Sequence, residues 1–450
     1  MISKIYMIGF GAVATALIEV FNHERKFIKI PFVIIEPKEI HTDVLRERIY
    51  IHIKKAISKE NINKLLKDLN STSLVIDLTV EVDSLMIIKK TIKTGSLYIN
   101  TSIENWESYN NPNDKMKLKY AEFKKNTLFY RAKKVEKLLK KSKRTRILNC
   151  GFNPGAIQEF TKIGLKKYGL TRDKTLVDGN YAKLGHELGL KSIRIVEYDS
   201  QTTNLTPTSQ LFLNTWSCDG FESEASDFIM LSLNKSDEVK LKQKFDLIKP
   251  TDKDDGKTRI RFIPIRGMDM TASDYTLDSN GKVFNYDGGY LVPHAEIISM
   301  SKFFQYDGDS PSILYCYRCS DVAIKSLDNM KKNDYKPLEK SYVLENKDII
   351  DGFDSIGSLM TFENGDIFWA GSVLDIETTR DLGFVYGQST TVQVAGTLYG
   401  AIMYMNEFPT QGYLEPEEVP SAFIFKFAKK YYGKCFFRNI KKDINQLSKK

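Results

Sequence analysis

The stretch Ile5-Tyr6-Met7-Ile8-Gly9-Phe10-Gly11-Ala12-Val13-Ala14 decides the fold. Four apolar residues closed by glycine make a short strand buried on both faces, and apolar positions continuing to about Phe21 make a helix. Gly9 and Gly11 have no side chains, so backbone N–H groups and the helix N-terminus can approach a pyrophosphate, while Ala14 lets helix and strand pack closely. The same spacing of small residues also occurs in ordinary tight turns, so the strand before it and the helix after it carry the reading. Pro31 to Ile35 makes a second strand and delivers Glu36 to its end. An acid there accepts hydrogen bonds from an adenosine ribose and repels a 2′-phosphate, which favours NAD over NADP.

Outward from this unit, a polar helix region spans about Glu60 to Leu69, and Leu74 to Leu78 forms another strand. A helix follows from about Ser84, then strands at Leu97 to Ile99 and Arg146 to Asn149, the last running into Gly151-Phe152-Asn153-Pro154-Gly155. Alternating strands and helices predict an α/β, Rossmann-type doubly wound parallel sheet. From Ser192 the pattern changes: Ile193 to Glu197, Leu211 to Trp216, Ser226 to Leu233 and Arg259 to Ile265 alternate, which predicts an α+β second domain with a largely antiparallel sheet. The expected organisation is an NAD-binding domain over 1–160, a substrate-binding and dimerisation domain over 161–365, and a helical C-terminal segment over 366–450. The Gly/Ala-rich run Val392 to Met405 would return that segment to the first domain.

Composition sets outer limits. The 450 residues, 42% hydrophobic, supply core material for roughly two or three domains. No apolar run is long enough to cross a membrane, and the opening Met1-Ile2-Ser3-Lys4 leads straight into the first strand, so a cytoplasmic protein is expected. Lys+Arg 66 against Asp+Glu 57 is a mild excess of positive charge. Lys133, Lys134, Lys137, Lys140, Lys141, Lys143, Arg144 and Arg146 interleave with Leu138 and Leu139 at helical spacing, which reads as a solvated helix face rather than a nucleic-acid patch. The lysines near the C-terminus read the same way. Five cysteines in a chain without an export signal argue for reduced thiols. Cys316-x-x-Cys319 has no second pair and no nearby His to complete a zinc set, so no metal is expected.

Two groups of residues carry candidate chemistry. Asn153-Pro154-Gly155 follows a strand and precedes apolar-periodic Ile157, Phe160 and Ile163. Asn suits a helix cap and Pro a first helical position, yet the carboxyl end of such a strand also faces the ligand crevice, where the amide can meet nicotinamide or substrate. In the later half, Glu197, Trp216, Asp219, Glu224, His294 and Glu296 are polar or aromatic residues embedded in apolar context. Singly, Trp216 is an ordinary core residue and His294 an ordinary satisfied histidine. As a set, carboxylates around an indole face make a receptor for a cationic amine.

Five segments in order along the chain resemble the bacterial homospermidine synthases: Gly-Phe-Gly-x-Val at Gly9, Asn-Thr-Ser-Ile-Glu-Asn-Trp at Asn100 to Trp106, Cys-Gly-Phe-Asn-Pro-Gly at Cys150 to Gly155, Asn-Thr-Trp-Ser-Cys-Asp-Gly-Phe at Asn214 to Phe221, and Gly-Tyr-Leu-Val-Pro-His-Ala-Glu at Gly289 to Glu296. The resemblance implies a saccharopine-dehydrogenase-like architecture, tightly held NAD, polyamine substrates such as putrescine and spermidine, and a homodimer with neither nucleic-acid nor membrane partners. It implies a reaction that joins two putrescines into homospermidine and releases ammonia, or uses spermidine as donor, with no net redox change. By position Trp216 matches a cation–π platform and Glu197 and Glu224 the acids that hold ammonium ends. Asn153 and His294 match polar residues at the reaction centre, with His294 a possible proton shuttle because its unperturbed pKa is near neutrality. Glu81, Glu104, Asp219 and Glu296 complete the expected substrate contacts. Gly9, Gly11, Ala14, Glu36, Thr79, Asn100, Thr101 and Asn153 are the expected cofactor contacts. The chain departs from the family pattern at Ala225 to Met230 and at Asn149, where an Asp is expected.

Two rivals remain at this stage. Net reductive amination of a carboxylated amine, as in saccharopine or carboxynorspermidine dehydrogenases, needs an arginine clamp, for which Arg194, Arg259 and Arg261 are candidates. An NAD-binding regulator would keep the glycine turn but has no reason to surround Trp216 with acids.

Overall fold

The computed structural model describes residues 2–80, 82–105, 127–250 and 258–448. The first sheet is built from β1 (Lys4–Ile8), β2 (Phe32–Ile35), β3 (Tyr50–Ile53), β4 (Ser73–Asp77), β5 (Leu97–Asn100) and β6 (Arg146–Ile147). Its order is β6-β5-β4-β1-β2-β3, extended beyond β6 by Tyr413–Leu414, and every pairing is parallel. Strands covered on both faces carry near-continuous apolar runs, which is why β1, β2 and β4 are legible locally. The edge strand β3 was not expected: its Tyr-Ile-His-Ile run mixes polar residues with Ile51, which faces solvent. The expected helix over Glu60 to Leu69 shrinks to Ile62–Leu65, because Leu66 and Leu69 turn inward to pack under the sheet. The last expected strand stops at Ile147, since Asn149 adopts a left-handed backbone with φ 52°.

The order reverses beside β1, so its carboxyl end and that of β4 open a crevice at the switch point, where ligands of such sheets bind. The turn into the first helix, α1 (Ala12–His23), lies there.

The second sheet has nine strands and is mixed. Leu190–Asp199 and Ser312–Arg318 run parallel at its centre, and the remaining pairs are antiparallel. Expected strand Leu211 to Trp216 ends at Asn214 and pairs instead with Lys340–Val343 in a separate ribbon. Trp216 is thereby released into the turn that opens helix Cys218–Ser226, capped by the Ser217 hydroxyl, which accepts from Gly220 N–H at 3.1 Å.

One expected boundary falls inside a helix and the other in a hairpin turn. Position 160 lies within helix Ala156–Leu170, which packs on the second sheet. Position 365 is the turn of a hairpin between Phe353–Phe362 and Ile367–Asp375. The C-terminal segment is not all helix: Ile367–Asp375 and Lys434–Asn439 are strands of the second sheet. Buried on both faces, Ile367–Asp375 shows no alternation from which a strand period can be read. The buried helix Ser389–Glu407 packs on α1, and Glu19 of α1 accepts the N–H groups of Val385, Tyr386 and Gly387 at 2.7, 3.1 and 2.9 Å.

The basic helix Leu128–Leu139 buries Phe129, Val135 and Leu139 and exposes Lys133, Lys134 and Lys137. Arg146 differs from its neighbours in that run. It is buried and donates to the Thr91 carbonyl at 2.9 Å. Cys316 and Cys319 are free and buried, and burial pushes the Cys316 thiol up to about 12. No helix among the described residues is long and apolar enough to cross a membrane.

Candidate active site

Gly9 sits at φ +81°, and a Cβ there would lie 2.7 Å from the Leu78 carbonyl oxygen of the neighbouring strand end, so only glycine fits. Gly11 has ordinary extended backbone and caps α1, whose first turn holds no acidic residue. A Cβ on Gly11 would meet no atom within 4 Å. It would project into open space in front of unpaired helical N–H groups and the positive end of the helix dipole, a cradle shaped for an anion. Glu36 leans over this turn: Oε2 accepts the Phe10 N–H and Oε1 the Lys38 N–H, both at 2.9 Å. Gly9, Gly11, Ala14, Glu36 and Thr79 all line one cavity of about 660 Å³. These residues fit a dinucleotide pyrophosphate and its adenosine ribose.

The opposite wall of that cavity is Trp216, Ser217, Asp219 and Tyr342. Indole and glycine turn therefore share one space, although they lie about two hundred residues apart in the chain. The Trp216 Nε1–H donates to the Tyr317 hydroxyl at 3.0 Å, and its ring lies 5.6 Å from that of Phe221, which fixes the indole plane. Val80 and Asp219 also line a second, narrower cavity of about 60 Å³, whose walls include Thr101, Glu104, Asn149, Pro154, Glu224 and His294. The two cavities meet at Val80 and Asp219 and together make up the cleft.

Its electrostatics come from buried acids. The His294 Nδ1 lies 2.8 Å from Glu296 and its Nε2 3.5 Å from Glu224. Burial alone would lower the pKa of this ring, but the Glu296 and Glu224 carboxylates outweigh it and hold His294 well above its ordinary value, as imidazolium. The expected proton shuttle thus sits between two acids that favour its charged form. Glu224 is pushed up by burial, its charge favoured in turn by His294, and its Oε2 is buried with no hydrogen-bond partner.

Deeper in the same region, Glu197 Oε2 accepts from Asn153 Nδ2 at 2.6 Å and from the Tyr315 hydroxyl at 2.5 Å. Burial pushes Glu197 up to about 7. Asp199, two residues along the same strand face, accepts from Thr215 at 2.6 Å and is pushed up to about 6, again by burial. Asp354 lies opposite Asp199 across the ladder and is held well above the usual carboxylate range by burial and by these two neighbours. Fully desolvated and crowded, the three acids are held toward their neutral forms.

The structure brings Trp216, Asp219, Glu224, His294 and Glu104 to this cleft, with Asn153 and Glu197 hydrogen-bonded beneath it. Asn153 does not cap the helix: Gly155 does, its N–H bound to Gln158 Oε1 at 2.6 Å. Glu296 is fully buried behind His294 rather than on the wall. Asn100 is fully buried, its amide engaged with Asn149 N–H and the Ser102 carbonyl, and Thr101 lines the second cavity, not the first. Glu81, and Trp106 of the resemblance, lie outside the described residues. Sequence reading missed Asp199, Asp354, Tyr315 and Tyr317. Only the i, i+2 spacing of Glu197 and Asp199 offered a signal. The three arginines of the rival clamp are engaged elsewhere: Arg194 with Asp274 at 3.1 Å, and Arg259 and Arg261 with Glu238 at 3.0 and 2.9 Å.

A glycine-turn crevice at the switch point of a parallel sheet, facing acids and an indole from the later half of the chain, is the arrangement of a dinucleotide-binding fold. Residues 5–147 match the saccharopine dehydrogenase NADP binding domain family. The chain is similar to bacterial homospermidine synthases. It is 26% identical to those of Mesorhizobium japonicum and Blastochloris viridis, covering 92% of this chain and 86% of each relative. Its fold is that of the homospermidine synthase from Legionella pneumophila solved in complex with NAD, at a TM-score of 0.82 and 24% identity over 97% of this chain and 91% of that one. The apo saccharopine dehydrogenase of Saccharomyces cerevisiae is more distant, with a TM-score of 0.52 and 13% identity over 97% of this chain and all of the other.

Proposed function

We propose that the protein is an NAD-dependent homospermidine synthase, transferring an aminobutyl group between putrescine or spermidine and a second putrescine with release of ammonia. One observation carries the proposal: Trp216 shares a cavity with the Gly9–Gly11 turn, and the buried, unpaired oxygen of Glu224 adjoins it. A carboxylated substrate has no counterion there among the three arginines considered, whereas an ammonium has an indole face and acids. Glu36 favours NAD, because a 2′-phosphate beside its carboxylate is repelled.

Bound nicotinamide supplies temporary storage of a hydride, so that an amine-bearing carbon is oxidised to an imine and the new imine is reduced, with no net redox change. The residues of this chain do the rest. Trp216 and Glu224 hold one ammonium end, and Glu197, oriented by Asn153 and Tyr315, holds another. His294, as imidazolium, can give its Nε2 proton to the departing nitrogen and recover one from the incoming ammonium. Asp219 and Glu104 attract the cationic chain along the cleft, and Glu296 keeps the imidazole ring oriented. Burial of the acids keeps water from the imine, which it would hydrolyse. A cytoplasmic homodimer, with the second domain contributing its contacts, belongs to the same proposal and rests on the resemblance.

Purified protein given NAD and putrescine alone is expected to make homospermidine and ammonia in equal amounts. A requirement for stoichiometric NADH and a carbonyl substrate, or no product at all, overturns the assignment. Size-exclusion with light scattering tests the dimer.

A further inference from the structure

Asn149 lines the second cavity and is 97% buried, with 3% of its surface exposed. Its backbone N–H donates to Asn100 Oδ1 at 2.9 Å, and its Nδ2 donates to Glu415 Oε2 at 3.1 Å. Its Oδ1 is buried and has no hydrogen-bond partner. A buried amide oxygen left unpaired costs free energy, so in a cavity wall it marks a place where a donor is expected.

Glu415 comes from the returning C-terminal segment, 266 residues further along the chain. It fixes which end of the amide is which: the NH₂ turns to the acid, so the oxygen is the end left over. This orientation survives protonation of the acid. Burial and Glu417 push Glu415 up to about 8, and a proton on Oε1, which faces the Tyr413 hydroxyl, leaves Oε2 an acceptor.

The left-handed backbone at φ 52° favours Gly, Asn or Asp. Of these, Asn alone offers Glu415 Oε2 an amide N–H: glycine has no side-chain amide and aspartate no N–H. We infer that Asn149 is a substrate-binding residue whose amide oxygen accepts an N–H of the polyamine, and that Glu415 is the positioning residue that aims it. This deepens the amine-transfer reading and rests on it: an N–H donor with positive charge is what the neighbouring Glu224 and Glu104 also select.

The test uses full-length NAD-loaded protein and putrescine as probe, with binding measured by calorimetry and turnover in parallel. Asn149→Gly keeps the left-handed backbone while removing the amide. Putrescine binding is expected to weaken about ten-fold or more, the effect of losing one hydrogen bond to a charged group, with NAD affinity unchanged. Glu415→Leu should weaken putrescine binding likewise, and Glu415→Gln, which still accepts through its amide oxygen, should restore it. If Asn149→Gly fails to fold, the Glu415 pair carries the test. Unchanged putrescine binding in Asn149→Gly or Glu415→Leu, or equal losses of NAD and putrescine affinity, overturns the inference while leaving the function intact. If the unaltered protein binds putrescine but makes no homospermidine, the function falls and Asn149 is still judged on binding. If it binds no putrescine, both fall.

Discussion

Gly9 and Gly11 are two residues apart, yet adding one methyl to each should have opposite consequences. At Gly9 the backbone is left-handed, which costs an L-residue about 1–2 kcal/mol, and the new Cβ would stand 2.7 Å from Leu78 O and 2.8 Å from its carbonyl carbon. Those are main-chain atoms that no rotamer change can move, so overpacking adds about 1–3 kcal/mol. Gly9→Ala is therefore expected to lose roughly 2–5 kcal/mol of stability. At Gly11 the backbone is extended and nothing lies within 4 Å of the added methyl. The apo protein should change by no more than about 1 kcal/mol, because the narrower unfolded ensemble of alanine opposes its poorer fit at a helix N-cap. The methyl nevertheless occupies the space through which a pyrophosphate reaches the helix N-terminus. Loss of a single charge-assisted hydrogen bond, about 1.5–3 kcal/mol, weakens NAD by roughly 10- to 150-fold. Denaturant melts of the apo forms and calorimetric titration with NAD separate the two effects. Gly11→Ala that binds NAD as the unaltered protein does, or Gly9→Ala that melts with it, would refute the cradle.

Three further outcomes follow from the site. Trp216→Ala removes a partly desolvated cation–π contact of about 2 kcal/mol, so kcat/KM for putrescine should fall roughly 30-fold while NAD binding holds; unchanged turnover sinks the platform role. Glu197 and Asp199 sit at about 7 and 6, above their ordinary 4.5 and 3.8, so the folded apo protein holds protons that the unfolded chain releases. Their contribution to apo stability falls as pH rises from about 4 to 7, and diamine binding should strengthen over pH 6–7 with net proton release. Calorimetry in two buffers of different ionisation enthalpy reads this, and zero proton exchange near neutrality contradicts it. Lys162 is buried 3.1 Å from Glu159 and also donates to the carbonyls of Glu417 and Val419. Lys162→Met strands the acid and should cost about 3–5 kcal/mol in denaturant melts, much of it recovered by adding Glu159→Leu; a Lys162→Met protein as stable as the original removes the argument.

What the sequence made legible was local. The strand, glycine turn and helix of residues 4–23 are specified by contiguous residues, and their hydrogen bonds and periodicity need no distant partner. The indole and its acids were legible as a set of residue types but not as a geometry. Trp216 reaches the cleft because its strand stops at Asn214, a limit imposed by pairing with a ribbon more than a hundred residues later. The ring of His294 alone gives only its unperturbed value; the shift comes from Glu296 beside it and from Glu224 on another element. Asn153 offered a complete account as a helix cap, and only its bond to Glu197, 44 residues away, sets that account aside. Asp354 is placed by strand register against Asp199, and Glu415 by a segment that returns to the first sheet near the end of the chain. Each residue that escaped the reading acts through a partner at long separation, and such partners follow from tertiary pairing, not from pattern. Glu197 and Asn153, and Asp199 and Thr215, show how acids here tolerate burial: each carboxylate accepts from a donor brought from outside its own strand.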